Sequence, residues 1–359
     1  MQAKNGRAEK VPGIDVTAKE TTDAAATTVA EPVPDITLGQ RIFNLRTGIS
    51  FLVVFGILAF VVSRLNVDVA AIWGVIRQSN PVLLLAALVV FYLVFPIRAL
   101  RWRLMLANAG VGRAELPGRR GLAEIIFLSW FVNCLVPAKL GDVYRAYLLR
   151  KHGTISLSKA GGTIVAERLI DFAIALSLLG FTGLIAFRGR LPDNVVVAIE
   201  FGSIIVLAAG VGIMLMRTFD TYIQQLVPER FQSIYTRFHE GAIGSFGQYP
   251  RLLALTLVAW LPEALRFFLV TQAVGIVLAP DLPTSLAISI FIALGSAFLT
   301  ALPLTPAGLG FAEGAMAVFL GLIGVDPQVA LSIALLDRTI SYWSLIVFGL
   351  VLYPFARRK

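Results

Sequence analysis

The second half of this chain repeats the first in the same order, roughly 169 positions later. Pro81-Val-Leu-Leu-Leu-Ala-Ala-Leu-Val89 is echoed by Pro250-Arg-Leu-Leu-Ala-Leu-Thr-Leu-Val258, and Ala99-Leu100-Arg101-Trp102 by Ala264-Leu265-Arg266-Phe267. Pro137-Ala-Lys-Leu-Gly141 returns as Pro306-Ala-Gly-Leu-Gly310, and Glu167-Arg168 as Asp337-Arg338. Any one match is weak, because Leu, Ala and Gly are common here. Four in order, including Arg and Pro in apolar surroundings, are hard to dismiss. Such a chain must fold as two copies of one unit, and duplicated membrane units with a site between the copies are a recurring plan of transporters.

The apolar content fixes the environment. At 57% apolar and 15% charged, the chain departs from the roughly 45–50% and about 25% of soluble domains. Its apolar residues fall in blocks at Thr47–Val62, Pro81–Ile97, Ala160–Phe187, Val195–Met216, Leu252–Leu278, Ser285–Leu304 and Val329–Tyr353. Several approach the roughly 20 residues that cross a hydrocarbon core. Two further stretches, Gly121–Val136 and Leu309–Gly324, are short and broken by Pro, Gly and charge, the shape of re-entrant hairpins. The expected fold is all-α and polytopic, with about six spans, two re-entrant helical hairpins and an inverted internal repeat.

Charge sets the expected orientation. The excess of 31 basic over 22 acidic residues gathers at the ends of apolar blocks, which points to bilayer orientation rather than nucleic acid. Arg41 and Arg46 precede the first block and Arg357, Arg358 and Lys359 follow the last, so both termini are expected in the cytoplasm. The segment after the second block carries Arg98, Arg101, Arg103, Arg113, Arg119 and Arg120 and reads as a cytoplasmic loop. Basic residues on both sides of 121–150 favour a hairpin dipping in from that side. The hairpin at about 285–324 is flanked by Asp281 and Asp326 and is expected to enter from outside. Three crossings plus a hairpin per copy would invert the second copy. The organisation expected is a disordered tail over 1–40, one repeat over 41–216, an interfacial linker over 217–249, the remainder of the second repeat over 250–355, and a short tail over 356–359. The location expected is a bacterial cytoplasmic membrane.

Ionisable groups inside apolar segments cost several kcal/mol unless paired or wetted, so each is a functional candidate. Glu167, Arg168 and Asp171 share one stretch, with spacings of three and four that predict a compact cluster on one helix. Asp337 and Arg338 stand at the equivalent place, with Ser341 replacing the second acid. Structural ion pairs locking two helices are the other reading. The Pro-Ala-x-Leu-Gly segments read as helix breaks, formed by Pro137 and Gly141 in the first copy and by Pro303, Pro306, Gly308 and Gly310 in the second. Broken ends offer partial charges for an ionic headgroup. Asn133, Lys139, Asp142 and Arg145 stand beside the first break and Glu313 beside the second. Arg101 and Arg266, matched in inverted copies, are candidates for passing a phosphate between leaflets, while Arg98 and Arg103 read as topology-setting charges. No metal-ligand spacing, nucleotide loop or cofactor motif appears, so no metal or cofactor is expected.

Together these motifs resemble one family. Asn133-x-x-x-Pro137-x-x-x-Gly141-Asp142-x-x-Arg145, then Glu167-Arg168-x-x-Asp171, then Pro303-x-x-Pro306-x-Gly308-x-Gly310-x-x-Glu313, closing with Arg338 and Tyr342-Trp343, is similar to the lysylphosphatidylglycerol synthase transmembrane-domain family, also called flippase-like. The resemblance covers roughly Ile42 to Phe355. It implies a translocator of amphiphilic lipid, with the soluble synthase part expected to be missing after Lys359. Membrane lipids are the implied partners, together with a separately encoded lipid-synthesising enzyme, and no nucleic acid. Arg145, Arg168 and Arg338 would hold phosphate, while Glu167, Asp171, Glu313 and Asp337 would balance those arginines, bind a cationic headgroup or carry a proton. A membrane-embedded transferase acting on a lipid-linked substrate, and an accessory subunit of a lipid enzyme, remain the alternatives.

Overall fold

A computed structural model of the chain describes residues 68–136, 139–153, 155–187, 193–300 and 305–357. The expected first span, the N-terminal tail, Pro137 and Pro303 lie outside the described residues. Every regular element among the described residues is helical, and five of the helices are long and apolar enough to cross a membrane.

Helix starts follow local chemistry. Helix α1 (Val69–Gln78) begins where the Asp68 carboxylate accepts from the amides of Ala70 and Ala71. Helix α2 (Pro81–Tyr92) begins with the Asn80 side chain accepting from Val82 and Leu83, and with Pro81 at its first position, where a missing N–H costs nothing. Helix α3 (Val94–Asn108) continues α2 almost without interruption. The first break-flanked hairpin is α4 (Arg119–Leu135) and α5 (Leu140–Lys151). Helix α6 (Leu157–Ala186), capped by Ser156, closes the first repeat. Helix α7 (Asp193–Thr218) follows, exposing Phe201, Ile204, Leu207 and Met214, which marks it as a lipid-facing span.

Helices α8 (Asp220–Leu226) and α9 (Glu229–Gly244) form the expected linker pair. Helix α10 (Tyr249–Ala273) opens the second repeat, α11 (Leu282–Thr300) and α12 (Phe311–Leu322) form its hairpin, and α13 (Pro327–Arg338) closes it. A π-helical turn over Thr339–Trp343 joins α13 to α14 (Ser344–Arg357).

The two repeats run in opposite directions. Asn80, entering α2, donates its amide to the carbonyl of Ala273 at the end of α10. Asn108, ending α3, donates its side-chain amide to the carbonyls of Ser245 and Gly247 just before α10 begins. The matched helices α2–α3 and α10 are therefore antiparallel neighbours, as an inverted repeat requires. The remaining packing is reciprocal. Helix α11, the first arm of the second hairpin, lies on α6, while α4, the first arm of the first, lies on α14. Helix α9 docks on α6, and its counterpart α1 docks on α13. The sequence reading missed α1, because ten residues are too few to register as a span.

Two expectations are corrected. The expected loop after Ile97 is helical to Asn108, and Arg98 and Arg101 are buried in it rather than facing the cytoplasm. A helix can carry arginines into the interior when carboxylates meet them there. The linker is also more than interfacial. Gly162 and Gly241 let α6 and α9 touch backbone to backbone, since a Cβ on Gly241 would sit 2.1 Å from the Lys159 carbonyl oxygen. Gly241→Leu is expected to lift α9 from α6 and to speed trypsin cleavage after Arg230 and Arg237. Unchanged digestion in the detergent-solubilised variant would contradict that docking.

Candidate functional site

Each hairpin breaks with backbone in the left-handed region. At the first break Lys139 has φ 51°, and at the second Ala307 has φ 46° and Gly308 φ 68°. Non-glycine residues held there are strained by about 1–3 kcal/mol, and such strain concentrates at functional sites. Asn133 on α4 accepts from the Gly141 amide at 2.9 Å, tying the first break together. Gly308 abuts Thr300 so closely that a Cβ would lie 2.7 Å from the Thr300 Cα. The breaks are also laced across the repeats: Tyr342 of the π-helical turn donates to the Cys134 carbonyl at the end of α4 (3.0 Å).

Behind the breaks stands an ion-pair lattice. Arg101 on α3 is bound to both Glu167 (2.8 Å) and Asp171 on α6, and Arg145 on α5 reaches the other oxygen of Glu167 at 2.8 Å. Arg145 also lies 3.7 Å over the Trp102 ring, whose N–H donates to Thr163. Arg101, Arg145 and Glu167 are 1–2% exposed. Arg168 points the other way and grips Asp142 with two hydrogen bonds of 3.0 and 2.7 Å. In the second repeat Arg266 binds Asp337 (2.8 Å) and Glu263 (2.9 Å). Arg338 binds Glu313 at 2.9 Å and the Ala307 carbonyl at 3.0 Å. Glu313 uses its second oxygen to accept from the Gly310 amide at 2.7 Å. In each repeat the closing helix thus sends an arginine to an acid in the first turn after the break.

The single-helix cluster expected of Glu167, Arg168 and Asp171 does not form. Residues three apart on a helix diverge by about 60°, and here neighbouring helices on both sides supply better partners.

Between the two breaks lies a cavity of about 200 Å³. Arg98, Lys139, Arg168, Arg266 and Arg338 contribute its basic wall, and Asp171, Glu263 and Asp337 its acidic wall. Asn133, Ser341, Tyr342, Trp130 and Trp260 complete the polar and aromatic lining. Of the expected site residues, Asn133, Lys139, Arg168, Asp171, Arg266, Asp337 and Arg338 thus meet on one cavity. Arg101, Asp142, Arg145, Glu167 and Glu313 do not line it and instead hold the residues that do. Arg145, expected to grip phosphate, is sealed between Trp102 and Glu167.

Two charged lining residues, Arg98 and Glu263, were not among the expected site residues. Arg98, read as a topology charge, bonds Asp171 at 3.2 Å and sits between the Trp130 and Trp260 rings at 5.1 and 5.5 Å. Glu263, inside the apolar block Leu252–Leu278, lines the same cavity and pairs with Arg266. The signal was available, because Arg98 and Glu263 each stand three residues before the matched arginines Arg101 and Arg266.

Six arginines and six carboxylates are interlocked in this lattice. Lys139, on the cavity wall, has no ion-pair partner among the described residues. Asp337 Oδ2, Ser341 Oγ and Trp260 Nε1 are buried without a hydrogen-bond partner among them. Unmade bonds at buried polar atoms cost about 1–3 kcal/mol each, and all three residues belong to the cavity lining.

Comparison with known proteins adds the family context. Residues 48–349 match the family model described as the lysylphosphatidylglycerol synthase TM region. A UPF0104 membrane protein of Methanocaldococcus jannaschii is 34% identical over 230 residues, covering 64% of this chain and 95% of that protein. A UPF0104 membrane protein of Methanothermobacter thermautotrophicus is 23% identical over 85% of this chain and 95% of its own length. Glycosyltransferase AglD of Haloferax volcanii is 26% identical over 82% of this chain, a match that takes in 52% of that protein. These relatives are archaeal. No solved structure matches this chain.

Proposed function

The chain belongs to the lysylphosphatidylglycerol synthase TM region family of multi-pass membrane proteins, and from that premise we propose that it moves a phosphate-bearing lipid between leaflets of the cytoplasmic membrane. The headgroup crosses through the cavity between the two hairpin breaks while the tails stay in the bilayer. The observation that carries this reading is the charged cavity itself, lined from both halves of an inverted repeat. The basic residues that flank the first and last apolar blocks support a cytoplasmic position for both ends of the chain.

In this mechanism the arginines have divided roles. Arg168 and Arg338 each keep guanidinium donors beyond those used by Asp142 and Glu313, and offer them to phosphate. Arg101 and Arg145 pair with Glu167 and Asp171 and hold them in place. The breaks supply the movable parts, since a hairpin arm interrupted at Lys139 or Ala307 can rotate without breaking helix hydrogen bonds elsewhere.

Proteoliposomes carrying a tail-labelled anionic phospholipid test the proposal by leaflet accessibility. Arg168→Gln and Arg338→Gln are expected to slow transfer about tenfold or more, the worth of a lost charge-assisted bond. Transfer at the unaltered rate in variants that elute as folded protein would remove these residues from the path.

A second reading is a membrane-embedded transferase acting on a lipid-linked substrate. Its support is the name of the Haloferax relative, although the match leaves about half of that protein uncovered. It predicts a covalently altered lipid when purified protein meets a labelled sugar nucleotide and a lipid acceptor. Leaflet transfer with no altered lipid would sink it.

A further inference from the structure

We propose that Glu263, Arg266 and Asp337 form a proton-binding site, which takes up one proton with each headgroup and so couples transfer to a proton gradient. The proposal rests on reading the cavity as the lipid path, and adds an energy source to that reading.

The matched sites of the two repeats differ in charge balance. In the first, Glu167 and Asp171 are held by three arginines, Arg98, Arg101 and Arg145. In the second, Arg266 is shared between Asp337 at 2.8 Å and Glu263 at 2.9 Å. Glu263 stands where the first copy has Arg98, and Gly314 where it has Arg145. Two ionised carboxylates on one guanidinium leave this site with one negative charge in excess. Asp337 is fully buried, and the Glu263 side chain is 12% exposed in the cavity lining. An uncompensated charge so placed is costly enough that the group takes a proton instead. A second observation locates that proton. Asp337 gives Oδ1 to Arg266, while its Oδ2 is buried with no hydrogen-bond partner among the described residues. A proton delivered through the cavity forms one O–H bond there and brings the site to neutrality.

The other charged groups on the cavity are paired elsewhere or cationic. Arg98 of α3 bonds Asp171 of α6, Arg168 bonds Asp142 of α5, and Arg338 bonds Glu313 of α12. Lys139, at the start of α5, adds a positive charge to the basic wall. Cys134 of α4 and Tyr342 of the π-helical turn are the remaining titratable groups in the lining, and α11 contributes none. On the elements packed behind, Tyr92 of α2 is bonded to Ser344, while Asp68 and Arg77 beside α1 are exposed. A phosphate that engages Lys139, Arg168 and Arg338 offsets positive charge that otherwise faces the surplus carboxylate. Anion and proton therefore favour one another's binding, and the linkage is reciprocal. The acid side of the membrane loads both, and the alkaline side releases both.

Infrared difference spectroscopy of the full chain in detergent, titrated from neutral to alkaline pH, reads the proton directly. The unaltered chain is expected to show a carboxylic-acid C=O band that disappears on the alkaline side. Asp337→Asn removes the carboxyl, and Glu263→Gln leaves Arg266 to neutralise Asp337, so both variants should lose the same band. Glu263→Gln removes surplus charge and is expected to elute as folded protein. A band lost in only one variant, or in neither, overturns the shared site. Proteoliposomes carrying the tail-labelled anionic phospholipid then read the coupling. A gradient of about one pH unit should speed transfer away from the acid side several-fold, with a ceiling of about tenfold for one proton. A protonophore should abolish that gain, and both variants should ignore the gradient. Transfer by the unaltered chain that ignores it, or that follows a sodium gradient at constant pH, overturns the coupling. The shared band with no leaflet transfer at any pH overturns the lipid path, and the coupling with it, while upholding the proton site.

Discussion

Glu167→Gln is expected to lower the thermal midpoint of the detergent-solubilised protein by on the order of 5–10 °C. Glu167 is 2% exposed and holds two arginines at 2.8 Å. Arg101 would keep Asp171. Arg145 would keep only the face of Trp102, because Glu167 is its one ion-pair partner among the described residues. Breaking one side of a buried pair costs about 3–5 kcal/mol, since a charge is left behind without its counterion. The same reasoning predicts rescue. Removing both charges in Glu167→Gln with Arg145→Met should restore much of the lost stability, as apolar replacements of whole buried pairs often do. Fluorescence-detected gel filtration after heating reads both results. A midpoint unmoved by the single change would show that the lattice does not hold the closing helix.

Gly141→Ala is expected to be nearly as damaging, through backbone rather than charge. A Cβ at Gly141 would lie 2.0 Å from the Ser129 carbonyl oxygen and 2.6 Å from Asn133 Oδ1. Neither atom can swing aside cheaply, as one is helix backbone and the other already accepts from the Gly141 amide. The two arms of the first hairpin must separate, at a cost near or above the usual ~1–3 kcal/mol of overpacking. Leaflet transfer should fall with stability, because the wall around Lys139 moves with the arm. Gly161→Ala is the control. Nothing lies within 4 Å of its Cβ position, and in a helix the added methyl should stabilise slightly. Similar midpoints for the two variants would refute the close approach at Gly141.

Much of the architecture was legible in the residues. The duplicated Pro-Ala-x-Leu-Gly segments located both helix breaks, because proline and glycine act locally and leave the same mark wherever the chain goes. The expected second hairpin at 285–324 is matched by α11 and α12, with the break near Pro306. Hydropathy likewise located the long spans to within a few residues, although it ended the second too early. It stopped at Ile97 because Arg98, Arg101 and Arg103 read as solvent-facing, when two of the three are buried against carboxylates about 70 positions away. Composition cannot distinguish an arginine that ends a span from one that is neutralised inside it.

Pairing was the part that could not be read. Sequence spacing joined Arg168 to Asp171 on one helix, whereas the folded chain joins Arg168 to Asp142 and leaves Asp171 to Arg98 and Arg101. Arg145 and Glu313 looked equivalent to Lys139 and Arg338 as ligand candidates, yet the first pair braces and the second lines the cavity.

What the chain itself dictated, then, was a membrane protein of two related halves whose costly charges and helix breaks mark the working region. These follow from apolar transfer energies and local backbone chemistry, which depend on neighbours along the chain. Only the tertiary structure decided which charges neutralise one another, which face the cavity, and that Lys139 has no ion-pair partner among the described residues. Those outcomes depend on how helices far apart in sequence rotate and cross, and a few tens of degrees about a helix axis moves a guanidinium from one carboxylate to another.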